Sequence, residues 1–199
     1  ASPAICSQYP PMIADDCTLI IPCRGPDCDG LDSINDPHVY VIPNKRYGEA
    51  ILEGIQKART TYIATMDADG QHTLRDLHRL FGWLTFHDLD MVIGHRPRAD
   101  GGVRSVASCA LNLTASIIAG RRVPDLGCGA RIFRRDMALD LLPKLPEGFE
   151  FNSVLTTLAL LRGYSVEWLR IPFRPRKTGK SHLVVADGFR TLKRLVTTR

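Results

Sequence analysis

Residues 62–73 have the sequence YIATMDADGQHT, which passes from an apolar run into a polar loop. The run Tyr62–Thr65 predicts a short buried strand. Thr73, followed three residues later by Asp76, predicts the N-cap of a helix that runs to about Phe86. The polar residues in between therefore belong to a loop at the end of a strand, which is where open α/β sheets bind their ligands.

This loop carries two carboxylates, Asp67 and Asp69, separated by one small residue. Both can reach one hard cation, and Gln71 adds a neutral oxygen at the same spacing. Mg²⁺ or Mn²⁺ typically takes one or two protein carboxylates and fills its other positions with water and substrate phosphates. The loop therefore predicts a divalent metal site formed by Asp67, Asp69 and Gln71, and chemistry in which a diphosphate-bearing group departs.

Two other interpretations of the loop stay open at this point. Asp and Gly are favoured in turns for backbone reasons alone, so the loop is also compatible with a plain turn. It resembles the start of a calcium loop as well, but the third acidic position and the terminal Glu of that motif are missing.

Composition and length favour one globular domain. The chain has 199 residues, of which 44% are hydrophobic and 24% charged. Its longest apolar stretches stay well short of the roughly 20 residues that span a bilayer. The first residues have no basic segment followed by an apolar core, so they do not predict a signal peptide. We therefore expect a cytoplasmic protein.

The net charge of +5 is concentrated late in the chain. From Arg170 onward the sequence has many Arg and Lys residues against a single acid, Asp187. Such a segment predicts an anionic partner, either phosphates or a membrane surface that the chain contacts peripherally. No nucleic-acid motif accompanies it, so we expect no nucleic-acid partner. A merely solvated basic face is the alternative.

The six cysteines are scattered without the spacing of a metal site. We expect them to be reduced thiols, as is usual in cytosolic proteins.

Strands and helices alternate along the chain. Apolar runs predict strands at 18–21, 39–42, 62–65, 90–93, 131–133 and 164–173, and helical spacing predicts helices at 47–59, 73–86, 103–119, 150–162 and 187–196. This alternation predicts an α/β fold with a mixed, mostly parallel sheet covered by helices on both faces. Residues 1–17 are expected to form an irregular N-terminal arm, and residues 18–199 a single domain.

Six sequence motifs occur in one order with plausible spacing. They lie at residues 66–72, 92–96, 125–131, 148–151, 162–164 and 176–181. Together they resemble glycosyltransferase family 2, in particular its dolichyl- or polyprenyl-phosphate mannosyltransferase-like branch, over about residues 18–196. The resemblance implies a GT-A (Rossmann-like) fold, a nucleotide-sugar donor, Mg²⁺ or Mn²⁺ as cofactor, inversion at the anomeric carbon, and a phosphate-bearing, possibly polyprenyl-phosphate, acceptor.

The resemblance also implies roles for individual residues. Donor and nucleotide binding falls to Pro22, Arg24, Asn44, Gly48, Asp67, Ala68 and Asp69. Acceptor or phosphate binding falls to Arg96, Arg176, Lys180 and Ser181. The catalytic positions, on the sugar and acceptor side of the cleft, are Asp125 and Arg131, and Asp67, Asp69 and Gln71 hold the metal.

Some positions depart from the family pattern. The segment Gly25–Pro37 is short and lacks the family's Asp-Asp-Gly-Ser stretch, which leaves the nucleotide open. Arg46 replaces the first glycine of the Asn-x-Gly pattern, and Ala130 replaces the aromatic of Gly-Phe-Arg. Val154 stands where a Glu commonly follows the Gly-Phe-Glu-Phe motif. A phosphate acceptor is favoured, while a small soluble hydroxyl acceptor and a catalytically silent nucleotide-sugar-binding subunit remain alternatives.

Overall fold

A six-stranded mixed sheet forms the centre of the protein. The computed structural model describes residues 15–23, 36–96, 103–172, 174–175 and 194. The strands are β1 (Cys17–Cys23), β2 (Val39–Pro43), β3 (Tyr62–Thr65), β4 (Met91–His95), β5 (Arg131–Arg134) and β6 (Val166–Arg170). They are arranged in the order β2-β1-β3-β5-β4-β6. β1 pairs in parallel with β2 and β3, and β4 with β6, whereas β5 runs antiparallel to both β3 and β4. The predicted mixed, mostly parallel sheet is confirmed.

Helices connect most of these strands. They are α1 (Tyr47–Lys57), α2 (Leu74–Phe86), α3 (Val103–Ala119), α4 (Arg135–Leu141) and α5 (Phe151–Leu161), with a 3₁₀ turn at Leu142–Lys144. The predictions for α1, α2, α3 and α5 are confirmed to within two residues at each end. The sequence analysis missed α4 and the 3₁₀ turn. The helix predicted at 187–196 lies outside the described residues, apart from residue 194.

The start of α2 is the predicted N-cap. The Thr73 hydroxyl accepts a hydrogen bond from the Asp76 backbone N–H (3.3 Å), and the Asp76 carboxylate accepts one from the Thr73 N–H (3.0 Å). This reciprocal pair is a capping box, which satisfies two donors that a helix start would otherwise leave without partners.

β1 continues past Pro22, beyond the strand predicted at residues 18–21. The strand continues to Cys23 and pairs with β2 as far as Cys23 and Pro43. Its other neighbour, β3, stops pairing at Ile20 and Thr65. The backbone groups of Ile20 point towards β3, where its carbonyl oxygen accepts a hydrogen bond from the Met66 N–H. The backbone nitrogen of Pro22, two residues later, lies on the same side of the strand. Because β3 has already ended there, the missing N–H of Pro22 costs no ladder hydrogen bond.

The first described residues already belong to the fold. Asp16 accepts hydrogen bonds from the backbone N–H groups of Thr61 and Tyr62, and Cys17 is buried in β1. The folded part therefore begins before residue 18, where the sequence analysis placed the start of the domain. Residues 1–14 lie outside the described residues.

One cysteine differs from the expectation of reduced thiols. Cys23 is disulfide-bonded, whereas Cys17, Cys109 and Cys128 are free. Cys6 and Cys28 lie outside the described residues. Disulfide pairing depends on which thiols the fold brings together, and spacing along the sequence does not determine that.

The strand directions bring several loops to one edge of the sheet. β3 and β4 run in the same direction because each is antiparallel to β5, so their carboxyl ends lie at the edge where β5 begins. The register pairs Thr65, the last residue of β3, with Arg131, the first residue of β5. The 66–72 loop, the end of β4 and the 125–130 loop therefore meet.

Candidate active site

Asp67 lies against the backbone of the 125–130 loop. A Cβ atom added to Gly129 would overlap the Asp67 carboxylate, so only glycine leaves space for it. The Thr65 hydroxyl donates to the Gly129 carbonyl oxygen at 2.8 Å and ties the two loops together. The carboxylate thus occupies a cradle formed by a loop more than sixty residues away in sequence.

Asp69 and Gln71 belong to the tight turn that follows. Asp69 is 4% exposed, and its Oδ1 accepts from the Gln71 backbone N–H at 3.0 Å. Gly70 has φ of 76°, the left-handed conformation that glycine adopts at little cost. The Gln71 side-chain nitrogen donates to the Arg174 carbonyl oxygen at 3.1 Å. The turn is therefore attached to the segment after β6.

The donor set of this loop fits a divalent cation that is shared with a diphosphate. The described residues contain no group of three or more His, Cys, Asp or Glu side chains that could enclose a metal ion by themselves. Mg²⁺ and Mn²⁺ do not need such a group, since one or two carboxylates plus substrate phosphates are enough. The carboxylates of Asp67 and Asp69, two residues apart on one loop, supply that number of ligands.

A buried ion pair stands at the end of β4. Arg96 Nε lies 3.2 Å from Asp125 Oδ2, and the backbone N–H of Arg96 donates to the same oxygen at 3.4 Å. Asp125 Oδ1 accepts from the Gly127 N–H at 3.0 Å. The Arg96 side chain is 15% exposed and that of Asp125 only 2%. The Asp125 carboxylate therefore binds Arg96 and also stabilises the turn of its own loop through the Gly127 N–H.

Two residues that the sequence analysis left aside hold the Asp125 loop in place. The Asn112 side chain, on α3, donates to the Pro124 carbonyl at 2.8 Å and accepts from the Leu126 N–H at 3.1 Å. The Trp168 indole donates to the Asp125 carbonyl at 2.9 Å. This hydrogen bond of Trp168 could not be found from the spacing of the sequence.

Arg131 lies beneath the site and presents no donor to a substrate. It is fully buried, and its guanidinium makes five hydrogen bonds, to Leu126 O, Cys128 O (twice), Asn152 O and Thr156 Oγ1. A guanidinium has five N–H groups, so all are used. Burial lowers the pKa of Arg131. The structure thus differs from the expected catalytic role: this arginine joins the 126–128 backbone to α5.

Tyr47 is a residue that the sequence analysis missed. Its hydroxyl accepts from the Asn152 side chain at 2.8 Å and hydrogen-bonds the Asp67 carboxylate. Burial, and next to it the charge of Asp67, raises the pKa of Tyr47 well above its ordinary value. The ring stacks on Phe149 at 6.0 Å. The one available signal was its position at the start of α1, next to Gly48.

Some of the residues implied in donor binding lie at the same edge of the sheet as Asp67. Pro22 and Asn44 lie at the carboxyl ends of β1 and β2, at the same edge as Asp67, and Ala68 lies between the two carboxylates. Gly48 has another explanation, because a Cβ there would overlap the backbone of residues 146–147. Arg24, the remaining donor-binding position, lies outside the described residues, as do the expected acceptor contacts Arg176, Lys180 and Ser181.

His72, the last residue of the 66–72 loop, is buried. It is 5% exposed, its Nε2 lies 4.0 Å from Cys128 Sγ, and its Nδ1 has no hydrogen-bond partner in the described part of the chain. Burial, with the charge of Arg96 adding to it, lowers the pKa of His72 to about 4. The ring is therefore neutral at physiological pH.

The chain is similar to known proteins. The family model described as Glycosyl transferase family 2 matches residues 28–142. The chain is 31% identical over 140 residues to the undecaprenyl-phosphate 4-deoxy-4-formamido-L-arabinose transferase of Proteus mirabilis, covering 68% of this chain and 42% of that protein. It is 31% identical over 147 residues to the polyprenol monophosphomannose synthase of Mycolicibacterium smegmatis, covering 68% and 55%. The chain thus spans about half of these relatives' length.

Solved structures show the same fold. Glucosyl-3-phosphoglycerate synthase from Mycobacterium tuberculosis, in complex with Mn²⁺, UDP-glucose and phosphoglyceric acid, superimposes with a TM-score of 0.66 at 14% identity. The match covers 92% of this chain and 79% of that one. The predicted GT-A fold is confirmed. Among the described residues, no helix has the length and apolar character needed to cross a membrane.

Proposed function

The chain belongs to glycosyltransferase family 2, and we propose that it is a metal-dependent, inverting glycosyltransferase with a nucleotide-sugar donor and a phosphate-bearing acceptor. The observation that carries the proposal is the meeting of the Asp67 and Asp69 loop with the Arg96–Asp125 pair at one edge of the sheet. The loop of Asp67 and Asp69 suits a diphosphate bound through a metal ion, and Arg96 suits a further anion.

Asp67 and Asp69 would hold Mg²⁺ or Mn²⁺ together with the donor diphosphate, and Gln71 would supply a further oxygen. The cation would stabilise the negative charge that develops on the leaving diphosphate. Charge that is stabilised more in the transition state than in the ground state raises the rate. Tyr47 keeps Asp67 in place through its hydroxyl, and the 126–128 backbone is supported from below by Arg131.

The acceptor is proposed to be a phosphate, with polyprenyl phosphate as the first candidate. Two relatives support this choice by their names, which contain undecaprenyl phosphate and polyprenol monophosphomannose. A phosphate oxygen is already anionic near neutral pH, so it needs a docking cation more than a general base. Arg96 supplies that cation beside the cleft. Asp125 is the positioning partner of Arg96, because its oxygens already accept hydrogen bonds from Arg96 and Gly127.

The position of Val154 supports the same acceptor. Val154 is 1% exposed within α5, at the place where the family commonly has a Glu. A hydroxyl acceptor would need a base there, whereas a phosphate would not. Arg176, Lys180 and Ser181 remain proposed phosphate contacts, and Arg24 remains a proposed nucleotide contact. Peripheral contact with a membrane surface remains part of the proposal.

The decisive experiment measures thermal shifts with GDP, UDP, CDP and dTDP, each with and without Mn²⁺. We expect at least one diphosphate to raise Tm only when Mn²⁺ is present, since a ligand that binds the native state alone stabilises it by mass action. The shift should vanish in Asp69→Ala and persist in Asp88→Ala, which removes a carboxylate whose side chain is 91% exposed. A shift that survives Asp69→Ala would remove the metal assignment.

Transfer assays then test the acceptor. With the sugar donors of the bound nucleotide, we expect product with a short-chain polyprenyl phosphate and none with the matching polyprenol. Transfer to 3-phosphoglycerate alone would keep the reaction class and replace the lipid. Binding without transfer or donor hydrolysis would favour a silent nucleotide-sugar-binding subunit.

A further inference from the structure

Asp76 serves two partners at once. Its carboxylate accepts from the Thr73 backbone N–H (3.0 Å) and hydroxyl (2.8 Å), which caps α2. The same carboxylate accepts from Arg174 Nη1 at 2.5 Å and Nη2 at 3.4 Å. The Asp76 side chain is 3% exposed and that of Arg174 30%. An ion pair that is largely withdrawn from water thus joins the start of α2 to the segment after β6.

Arg174 is held a second time, through its backbone. Its carbonyl oxygen accepts from Gln71 Nε2 at 3.1 Å. Because the amide nitrogen of Gln71 is committed to this bond, the amide oxygen points to the other side of the group. Arg174 therefore determines which way the Gln71 amide faces.

We propose that Arg174 is a positioning residue: its ion pair with Asp76 fixes the carbonyl that orients Gln71, and so fixes the loop of Asp67 and Asp69 in its metal-binding shape. The inference rests on the proposed function and extends it to a residue that is in neither the cleft nor the loop. Partners that orient ligands from behind commonly change metal affinity tenfold or more when they are removed.

The capping of α2 does not require Arg174. Thr73 and Asp76 complete the capping box between themselves. Burial by itself would raise the pKa of Asp76, but the hydrogen bonds from Arg174 and Thr73 hold it below its ordinary value. The carboxylate therefore stays charged and the pair persists near neutral pH. Loss of the arginine should accordingly affect the loop more than the helix.

The test measures the Mn²⁺ concentration at half of the thermal shift, with the nucleoside diphosphate that the wild type binds held at saturation. We expect this midpoint to rise roughly tenfold in Arg174→Ala and to be partly restored in Arg174→Lys, since lysine keeps the charge but not the two-pronged geometry. The control is Arg75→Ala, which removes an exposed arginine beside Asp76 in α2 and should leave the midpoint unchanged.

A double-mutant cycle separates positioning from general stability. Gln71→Ala should raise the midpoint as well, and Arg174→Ala combined with Gln71→Ala should raise it no further, because both act on one contact. A lower Tm without ligand but an unchanged Mn²⁺ midpoint in Arg174→Ala would overturn the inference and leave the proposed function standing. A wild type without a metal-dependent shift would overturn the proposed function, and this inference with it.

Discussion

Arg96 Nε lies 3.2 Å from Asp125 Oδ2, in a pair of which the carboxylate side chain is only 2% exposed. The two residues come from different elements, the end of β4 and the loop before β5. The pair therefore joins the 125–130 loop to the end of β4.

Removing one member of this pair should cost considerable stability. Arg96→Ala leaves the Asp125 charge buried without its cation, and we expect a loss on the order of 3 kcal/mol in the free energy of unfolding, measured by urea denaturation. Arg162→Ala breaks the surface pair with Asp140 (3.8 Å, both side chains almost half exposed) and should change it little. Equal losses in the two variants would contradict the buried-pair interpretation.

Gly129→Ala should disable the proposed metal site. The new Cβ would overlap the Asp67 carboxylate, which must then move. We expect the metal-dependent thermal shift to be lost while the protein remains folded, as judged by circular dichroism. Gly127→Ala is the matched control on the same loop, because its Cβ would lie 3.9 Å from the nearest atom, Asp125 Oδ1. A normal shift in Gly129→Ala would show that Asp67 does not need its present position.

Arg131→Met should act on folding before it acts on turnover. The variant keeps much of the side-chain volume but leaves the carbonyls of Leu126 and Cys128 without the donor that Arg131 supplies. Buried acceptors without partners cost about 1 to 3 kcal/mol each, so we expect a loss of roughly 3 kcal/mol or more in urea denaturation. Unchanged stability with a selective fall in kcat would restore the catalytic role expected from the sequence.

His72 should make the protein sensitive to mild acid. Its pKa in the folded state is about 4, lowered by burial from the ordinary value of 6.5. Between these values the unfolded chain binds the proton and the folded one does not, so stability falls as the pH drops from 6.5 towards 4. The expected loss is on the order of 2 to 3 kcal/mol.

The check is a series of urea denaturations from pH 7 to pH 4.5. His72→Gln should flatten the dependence, while His87→Gln, at an exposed position, should follow the wild type. A wild-type slope that persists in His72→Gln would assign the effect to another group.

Much of the fold could be predicted because its signals are local. The strand at 62–65, the capping box of Thr73 and Asp76 and the apolar periodicity of α3 each depend on residues a few positions apart. The helix α4 was missed because it begins directly after β5 without a side-chain cap. The end of β1 was predicted two residues too early at Pro22. The free-energy cost of a proline in a strand depends on where the neighbouring strand ends, which the local sequence does not show.

The candidate site was predicted less evenly. Asp67, Asp69, Arg96 and Asp125 were named from the sequence and are grouped at one edge of the sheet by the structure. Arg131 was named for its motif, yet burial directs all of its donors to the protein itself. Tyr47, Asn112 and Trp168 were missed as site residues because a hydrogen bond to a distant loop has no signature in the sequence.

By itself the sequence determined that two carboxylates follow a buried strand and precede a capped helix, because hydrogen bonding over three residues and side-chain periodicity need no distant partner. What these carboxylates face depends on contacts between distant parts of the chain. The antiparallel entry of β5 places Gly129 against Asp67 and the Asp125 loop beside Arg96, and the chain after β6 brings Arg174 to Asp76 and Gln71. These contacts span from 29 to more than 100 residues, so they follow from strand order and register, which local sequence signals do not specify.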